Sequence, residues 1–159
     1  MRAVAASDRQ RWEELFHGYR TFYEKQHDPA IAERVWGWLL DPARESEGLV
    51  AGRDGELVGF AHWRRFARPL AGETGIYLDD LFAIEAARGA GVGYALVARL
   101  QEIAATEGAT VVRWITAADN VTAQRLYDRV ATKTSWLTYD AAPAPDADAA
   151  PDAASAPDA

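Results

Sequence analysis

The sequence predicts an α/β fold of the mixed α+β kind, and three observations carry that prediction. Apolar residues recur at helical spacing in some segments and at strand spacing in others, and the two kinds interleave along the chain. An Asp54-Gly55 dipeptide separates two β-rich runs, and a Gly-rich turn joins a strand segment to a helix segment.

In chain order, Asp8 is placed to cap a helix running to about Gln26, with Trp12, Leu15, Phe16, Tyr19, Phe22 and Tyr23 at three- and four-residue steps. A second helix follows Asp28-Pro29, since proline suits the first helical turn, and ends at Asp41-Pro42. Strands are expected over 48–53 and 56–66, joined by Asp54-Gly55, and over 75–84. A helix then runs to Gly108 with Val92, Leu96, Leu100 and Ile103 on one face. A strand over 111–116, a short helix over 120–130 and a last strand over 135–139 complete the pattern, without internal repeats.

With 159 residues and 49% hydrophobic content, one domain can bury a core unaided. The formal charge is −7, but residues 141–159 hold four of the 24 acids and none of the 17 bases, leaving −3 on the first 140. That balance argues against a nucleic-acid partner, which needs clustered Lys and Arg. Cysteine is absent, which excludes disulfides, thiolate metal sites and a cysteine nucleophile. No apolar run reaches signal-peptide or membrane-span length, so a cytoplasmic protein without a membrane partner is expected. Residues 141–159 are 10 Ala, 4 Pro, 4 Asp and 1 Ser, a composition expected to be disordered, and the folded domain is drawn at 1–140.

The most informative stretch is Arg88-Gly89-Ala90-Gly91-Val92-Gly93, between an expected strand and an expected helix. Its glycines let backbone N–H groups approach a bulky anion while the helix start adds partial positive charge, so with Arg88 it reads as a pyrophosphate cradle. A Gly-rich turn serving only close packing is the plainer reading. A Walker loop would require Gly-Lys-Ser/Thr, whereas Gly93 is followed by Tyr94-Ala95. A dinucleotide fingerprint would put its third glycine at Tyr94 and an acid near Trp114-Ile115-Thr116, and neither is present.

Arg88, Gly91 and Gly93 in the spacing Arg-x-x-Gly-x-Gly resemble the acetyl-coenzyme A signature of the GNAT superfamily of N-acetyltransferases. Ile76-Tyr77-Leu78-Asp79-Asp80-Leu81-Phe82 resembles the preceding strand of polyamine- and histone-type members, and Asp119-Asn120-x-x-Ala123-x-x-Leu126-Tyr127 a later family motif. Lys133-Thr134-Ser135-Trp136-Leu137 resembles the closing strand of one bacterial branch. Val130-Ala131 stands where many members carry a Gly. The resemblance spans about residues 2 to 140 and implies a mostly antiparallel mixed sheet with one splayed parallel pair, flanked by about four helices.

It further implies that Leu81, Phe82, Ala83 and Ile84, the loop residues Arg88, Gly89, Ala90, Gly91, Val92, Gly93 and Tyr94, and Asn120 with Tyr127 hold acetyl-CoA. The pantetheine would slot between the splayed strands on the backbone of residues such as Phe82 and Ile84. Independently of the resemblance, Ile76 and Leu78 share one strand face while Leu81 and Ala83 fall in the opposite phase, a slip at Asp79-Asp80 that a β-bulge explains. By motif match Asp79 takes the general-base role, directly or through water, and Tyr127 the general-acid role. As plain structure, Asp79 and Asp80 would be turn residues and Tyr127 core.

Tyr19, Phe22, Tyr23, Trp36 and Trp38 could wall an acceptor pocket, and Tyr19 and Tyr23 with Asp79 and Asp80 are the substrate-binding candidates. His17, His27 and His62 lack metal-ligand spacing with a carboxylate and read as structural. Arg64, Arg65 and Arg68 form a basic run that reads as solvated surface, with an adenosine 3′-phosphate as its other partner. The expectation is therefore an acetyl-CoA-dependent N-acetyltransferase without metal, acting by direct attack in a ternary complex. Its acceptor is a primary amine of a polyamine, amino acid-like metabolite, amine drug or protein lysine. A homodimer is expected from the resemblance. The alternatives are a non-catalytic acyl-CoA-binding regulator on the same fold and a nucleotide-dependent enzyme.

Overall fold

A computed structural model of the chain describes residues 1–144. Five strands run in the order β1 (Arg2–Ala3), β2 (Glu47–Arg53), β3 (Glu56–Arg68), β4 (Glu73–Ala83), β5 (Val112–Arg113). All neighbours are antiparallel except β4 and β5, which pair in parallel at only Ile76↔Val112 and Tyr77↔Arg113. Four helices flank the sheet: α1 (Arg9–Phe22), α2 (Pro29–Leu40), α3 (Val92–Glu107) and α4 (Val121–Val130).

The sheet carries a core on each face. Trp12, Leu15 and Phe16 of α1 and Trp36 of α2 bury against Val50 and Phe60 on one side. Leu96, Val97 and Leu100 of α3 bury against Ala61, Trp63, Ile76 and Leu78 on the other. Burial of each large side chain contributes about 2 kcal/mol. Residues 58–63 of β3 are buried on both faces, which explains why Val58 to Ala61 show no polar alternation and why the polar His62 is buried among them.

Local chemistry accounts for the boundaries. Asp28 caps α2, its Oδ1 accepting the Ala30 N–H at 2.9 Å, with Pro29 at the first helical position. Asp54 and Gly55 take φ of 52° and 86°, the two positive values that a twist-matched hairpin turn requires. Helix α1 stops four residues before the expected Gln26 because Glu24 adopts φ 56° and the Lys25 and Glu24 amides donate back to the carbonyls of Arg20 and Thr21. Asp8 precedes α1 without capping it. Its carboxylate accepts two hydrogen bonds from the Arg2 guanidinium at 2.6 Å and one from the Ala5 amide at 2.8 Å. Arg2 holds its carboxyl below the usual range against the opposing effect of burial.

The strand expected over 135–139 is not formed. Residues 131–144 are irregular, with Trp136, Leu137 and Tyr139 exposed, since strand propensity stabilises nothing until a segment pairs with a neighbouring strand. The strand expected over 111–116 pairs only at Val112–Arg113. Most of the segment expected to be disordered, 145–159, lies outside the described residues. Among the described residues no helix is long and apolar enough to cross a membrane.

Candidate active site

The slip anticipated in β4 is a one-residue bulge. Opposite β3, Trp63 pairs with Leu78 and His62 with Asp80, so Asp79 is the extra residue. Before it, Ile76 and Leu78 face α3; after it, Leu81 and Ala83 do, while Asp80 and Phe82 turn toward α1. Asp79 meets Arg64 Nε at 3.3 Å, and Arg64 also lies 4.7 Å over the Tyr77 ring. Both carboxylates therefore stand together at the bulge, where their environments push them apart. Burial raises the Asp79 carboxyl above its ordinary value, with Arg64 opposing and Asp80 reinforcing. For Asp80, burial also pulls upward, but hydrogen bonds from His62 and Tyr19 outweigh it and the net is downward.

Beyond Tyr77, β4 has no strand partner on its β5 side among the described residues, and a cleft of about 1150 Å³ opens there. Its walls are Leu81, Phe82 and Ala83 of β4, the turn from Ala87 to Tyr94, residues of α4, and Tyr19, Phe22 and Tyr23 at the end of α1. The Ile84 amide donates to the Val58 carbonyl at 3.0 Å, and the Phe82 carbonyl is the nearest atom to a side chain that would be built on Gly59 of β3. Phe82 and Ile84 thus spend their backbone groups on β3. Strand alternation turns those of Leu81 and Ala83 to the open side, which corrects the expectation that Phe82 and Ile84 would offer them.

Gly89 and Gly91 take φ of 76° and 81°, and Gly91 precedes α3 with no side chain capping the first amides. Uncapped amides and the positive helix end face the cleft, a donor set suited to a pyrophosphate. Arg88 lines it and stacks 5.7 Å over Phe22. Arg125 and Arg129 of α4 also line it, and among the described residues none of these three arginines is ion-paired. Gly93 permits a close approach of α4: a Cβ there would lie 3.0 Å from Leu126.

Asn120 caps α4 through the Ala123 amide at 3.2 Å, and Tyr127 one face along reaches the cleft beside Trp114, whose ring lies 5.2 Å away. Burial pushes the Tyr127 hydroxyl up to about 12.

The structure thus gathers Tyr19, Tyr23, Leu81, Phe82, Ala83, Arg88, Gly89, Gly91, Val92, Gly93, Tyr94, Asn120 and Tyr127 around one cleft. Ile84, Ala90, Asp79 and Asp80 lie off its wall, although Tyr19 joins Asp80 to it by a 2.5 Å hydrogen bond. The basic run does not reach it: Arg64 pairs with Asp79, Arg65 with Glu47 and Glu107, and Arg68 with Glu73. Sequence reasoning missed Arg125, Arg129 and Glu24 as cleft residues. The helical spacing of Arg125 and Arg129 along the Tyr127 helix is the signal that was available. Among the described residues no group of three or more His, Asp or Glu could hold a metal.

The profile of the acetyltransferase (GNAT) family matches residues 12–131. The chain is 30% identical over 141 residues to the D-amino-acid N-acetyltransferase HPA3 of Saccharomyces cerevisiae, covering 87% of this chain and 88% of that protein. It is 30% identical over 129 residues to the uncharacterized N-acetyltransferase YhfO of Bacillus subtilis, covering 81% and 86%. Among solved structures, a probable acetyltransferase superposes with a TM-score of 0.78 at 24% identity, covering 92% of this chain and 99% of that one. AAC(6′)-Iy in complex with a CoA-linked bisubstrate analogue superposes with a TM-score of 0.74 at 17% identity, covering 89% and 96%.

Proposed function

Because the chain belongs to the GNAT acetyltransferase family and is an acetyl-CoA-dependent N-acetyltransferase, we propose that it acetylates the primary amine of a small cationic acceptor by direct attack in a ternary complex. The observation that carries this is the β4 bulge, which sets two carboxylates of divergent proton affinity side by side, next to a cleft with uncapped amides.

On this reading the Leu81 and Ala83 backbone groups hold the pantetheine, and the α3 amides with Arg88 hold the pyrophosphate. Arg125 and Arg129 supply further positive charge for phosphate. An ammonium with a pKa near ~10 must lose a proton before it attacks. Asp79, the carboxylate with the raised proton affinity, accepts it directly or through a water, while Asp80 stays ionised and holds the incoming cation. The nitrogen bonds to the acetyl carbon, the C–S bond breaks with its electron pair going to sulfur, and the second proton, which the nitrogen sheds as it becomes an amide, passes on to that sulfur to give the free thiol. Tyr127 donates a hydrogen bond to that sulfur. Its hydroxyl holds its proton more tightly than a thiol of pKa ~8.5 does, so it stabilises the departing thiolate while remaining largely protonated.

Among polyamines, amino acid-like metabolites, amine drugs and protein lysines, the yeast relative favours an amino acid-like amine. Thiol release from acetyl-CoA across a panel of such amines tests the proposal. Coenzyme A binding with background release throughout would favour the non-catalytic regulator instead. A homodimer is part of the same reading, supported by the exposed Trp136, Leu137 and Tyr139, which a second copy would cover; sedimentation at the monomer mass refutes it.

A further inference from the structure

Behind the cleft wall runs a line of four side chains that no step above requires in full. The indole N–H of Trp12 donates to His62 Nε2 at 3.0 Å, His62 Nδ1 meets Asp80 Oδ2 at 2.8 Å, and the Tyr19 hydroxyl donates to Asp80 Oδ1 at 2.5 Å. An indole nitrogen can only donate, so Nε2 of His62 must be the accepting lone pair. The single ring proton then sits on Nδ1 and is donated to Asp80. A second proton, at Nε2, would point into the indole N–H, so both contacts admit the Nδ1–H form of the ring. It is also held in place: His62 is 4% exposed, Phe60 stacks on it at 4.4 Å, and Trp12 and Phe16 close in at 5.8 and 5.9 Å.

Asp80 receives one donor on each oxygen. A carboxylate offers about four lone-pair sites, so two remain for a cation arriving from the cleft. Burial and the Asp80 charge push the Tyr19 hydroxyl above the ordinary tyrosine range, so it remains a donor. The remaining titratable or charged neighbours are Asp79 on β4, Arg64 of β3 facing Asp79, and the hydroxyls of Tyr23 and Tyr127 facing Tyr19.

We propose that His62 is a positioning residue for acetyl transfer: fixed as its Nδ1–H tautomer by Trp12, it aims Asp80, and through Asp80 the Tyr19 hydroxyl, at the acceptor ammonium. This rests on the reading that the acceptor enters beside Tyr19 and the bulge. His62 touches neither substrate and acts only through Asp80, which distinguishes it from Asp79 and Tyr127.

The test compares His62→Asn, whose side-chain NH₂ replaces Nδ1–H, with His62→Gln, whose amide reaches the Nε2 position and leaves Asp80 Oδ2 without a donor. His62→Gln is expected to raise the amine KM at least tenfold while the acetyl-CoA KM stays within about twofold, and His62→Asn to keep the amine KM within about threefold of the unsubstituted protein. An unchanged amine KM in a folded His62→Gln variant, or an equal loss in both variants, would overturn the proposal. Should either variant fail to fold, imidazole ¹⁵N shifts of the unsubstituted protein decide. A protonated Nδ1 and bare Nε2 at the pH of the kinetic assay support the assignment, and the Nε2–H tautomer there defeats it. Background thiol release from the unsubstituted protein with every amine would bring down the reaction itself, whatever the tautomer.

Discussion

Arg64 and Asp79 meet across the β3–β4 ladder at 3.3 Å, each about one-third exposed, so the proposed base carries its own counter-charge. Burial raises the Asp79 carboxyl and Arg64 restrains that rise. Replacing Arg64 with Gln removes a lowering influence, so the proton is held to higher pH. The acidic limb of the kcat/KM profile is expected to move upward in Arg64→Gln, with the plateau little changed; a stationary or downward-moving limb would remove Asp79 from the base role.

Tyr127→Phe deletes the proposed hydrogen bond to the departing sulfur and little else, since the ring stays packed on Trp114. Turnover is expected to fall at least tenfold with coenzyme A affinity nearly unchanged, as steady-state kinetics and calorimetry would show. With its hydroxyl at about 12, the unsubstituted enzyme should lose no activity to Tyr127 ionisation below about pH 11.

Arg88→Ala removes the proposed charge-assisted contact to the pyrophosphate, worth about 1.5 to 3 kcal/mol, roughly tenfold to over a hundredfold in affinity. Calorimetry should show weaker coenzyme A binding with an unchanged amine KM. Phe22→Ala, which removes only the ring beneath the guanidinium, should cost less.

Gly93→Ala places a methyl 3.0 Å from Leu126, on the turn of α4 that carries Tyr127. Turnover should fall because α4 is displaced, and Leu126→Ala in the same chain should recover most of it. Failure of that second substitution to help would mean that α3 and α4 are not in register through this contact.

Asp8→Asn weakens the tie from Arg2 to the start of α1 by about 2 kcal/mol. The folded-state carboxyl is lowered, so its stabilisation is present above the ordinary carboxyl value and is lost as pH falls through the lower, folded one. Acid titrations of melting temperature should separate the two proteins at neutral pH and bring them together at the acid extreme.

What the sequence disclosed follows from how local each signal is. The phase slip between Leu78 and Leu81 announces the bulge within six residues, and the glycines between Arg88 and Gly93 announce the α3 turn. Asp8 looked like a cap because the competing donor, Arg2, lies outside the helix pattern. Arg64, Arg65 and Arg68 looked free because their partners Asp79, Glu47, Glu107 and Glu73 are distant in sequence or on other strands and helices. His62 and Asp80 are eighteen residues apart, and only the β3–β4 register brings them together. Residues 135–139 have strand composition but pair with no strand, and pairing is a long-range event that composition cannot report.

The extra residue in β4 makes chain length, more than residue identity, the quantity that must be conserved there. A substitution at 79 or 80 alters one carboxylate and leaves every neighbour on its own side. Deleting Asp79 would turn Leu81 and Ala83 into the layer under α1 and drive Phe82 into the layer under α3, mispacking both cores together. On the proposed reading, acceptor preference in this scaffold is therefore open to change by side-chain replacement at the bulge and closed to change by insertion or deletion.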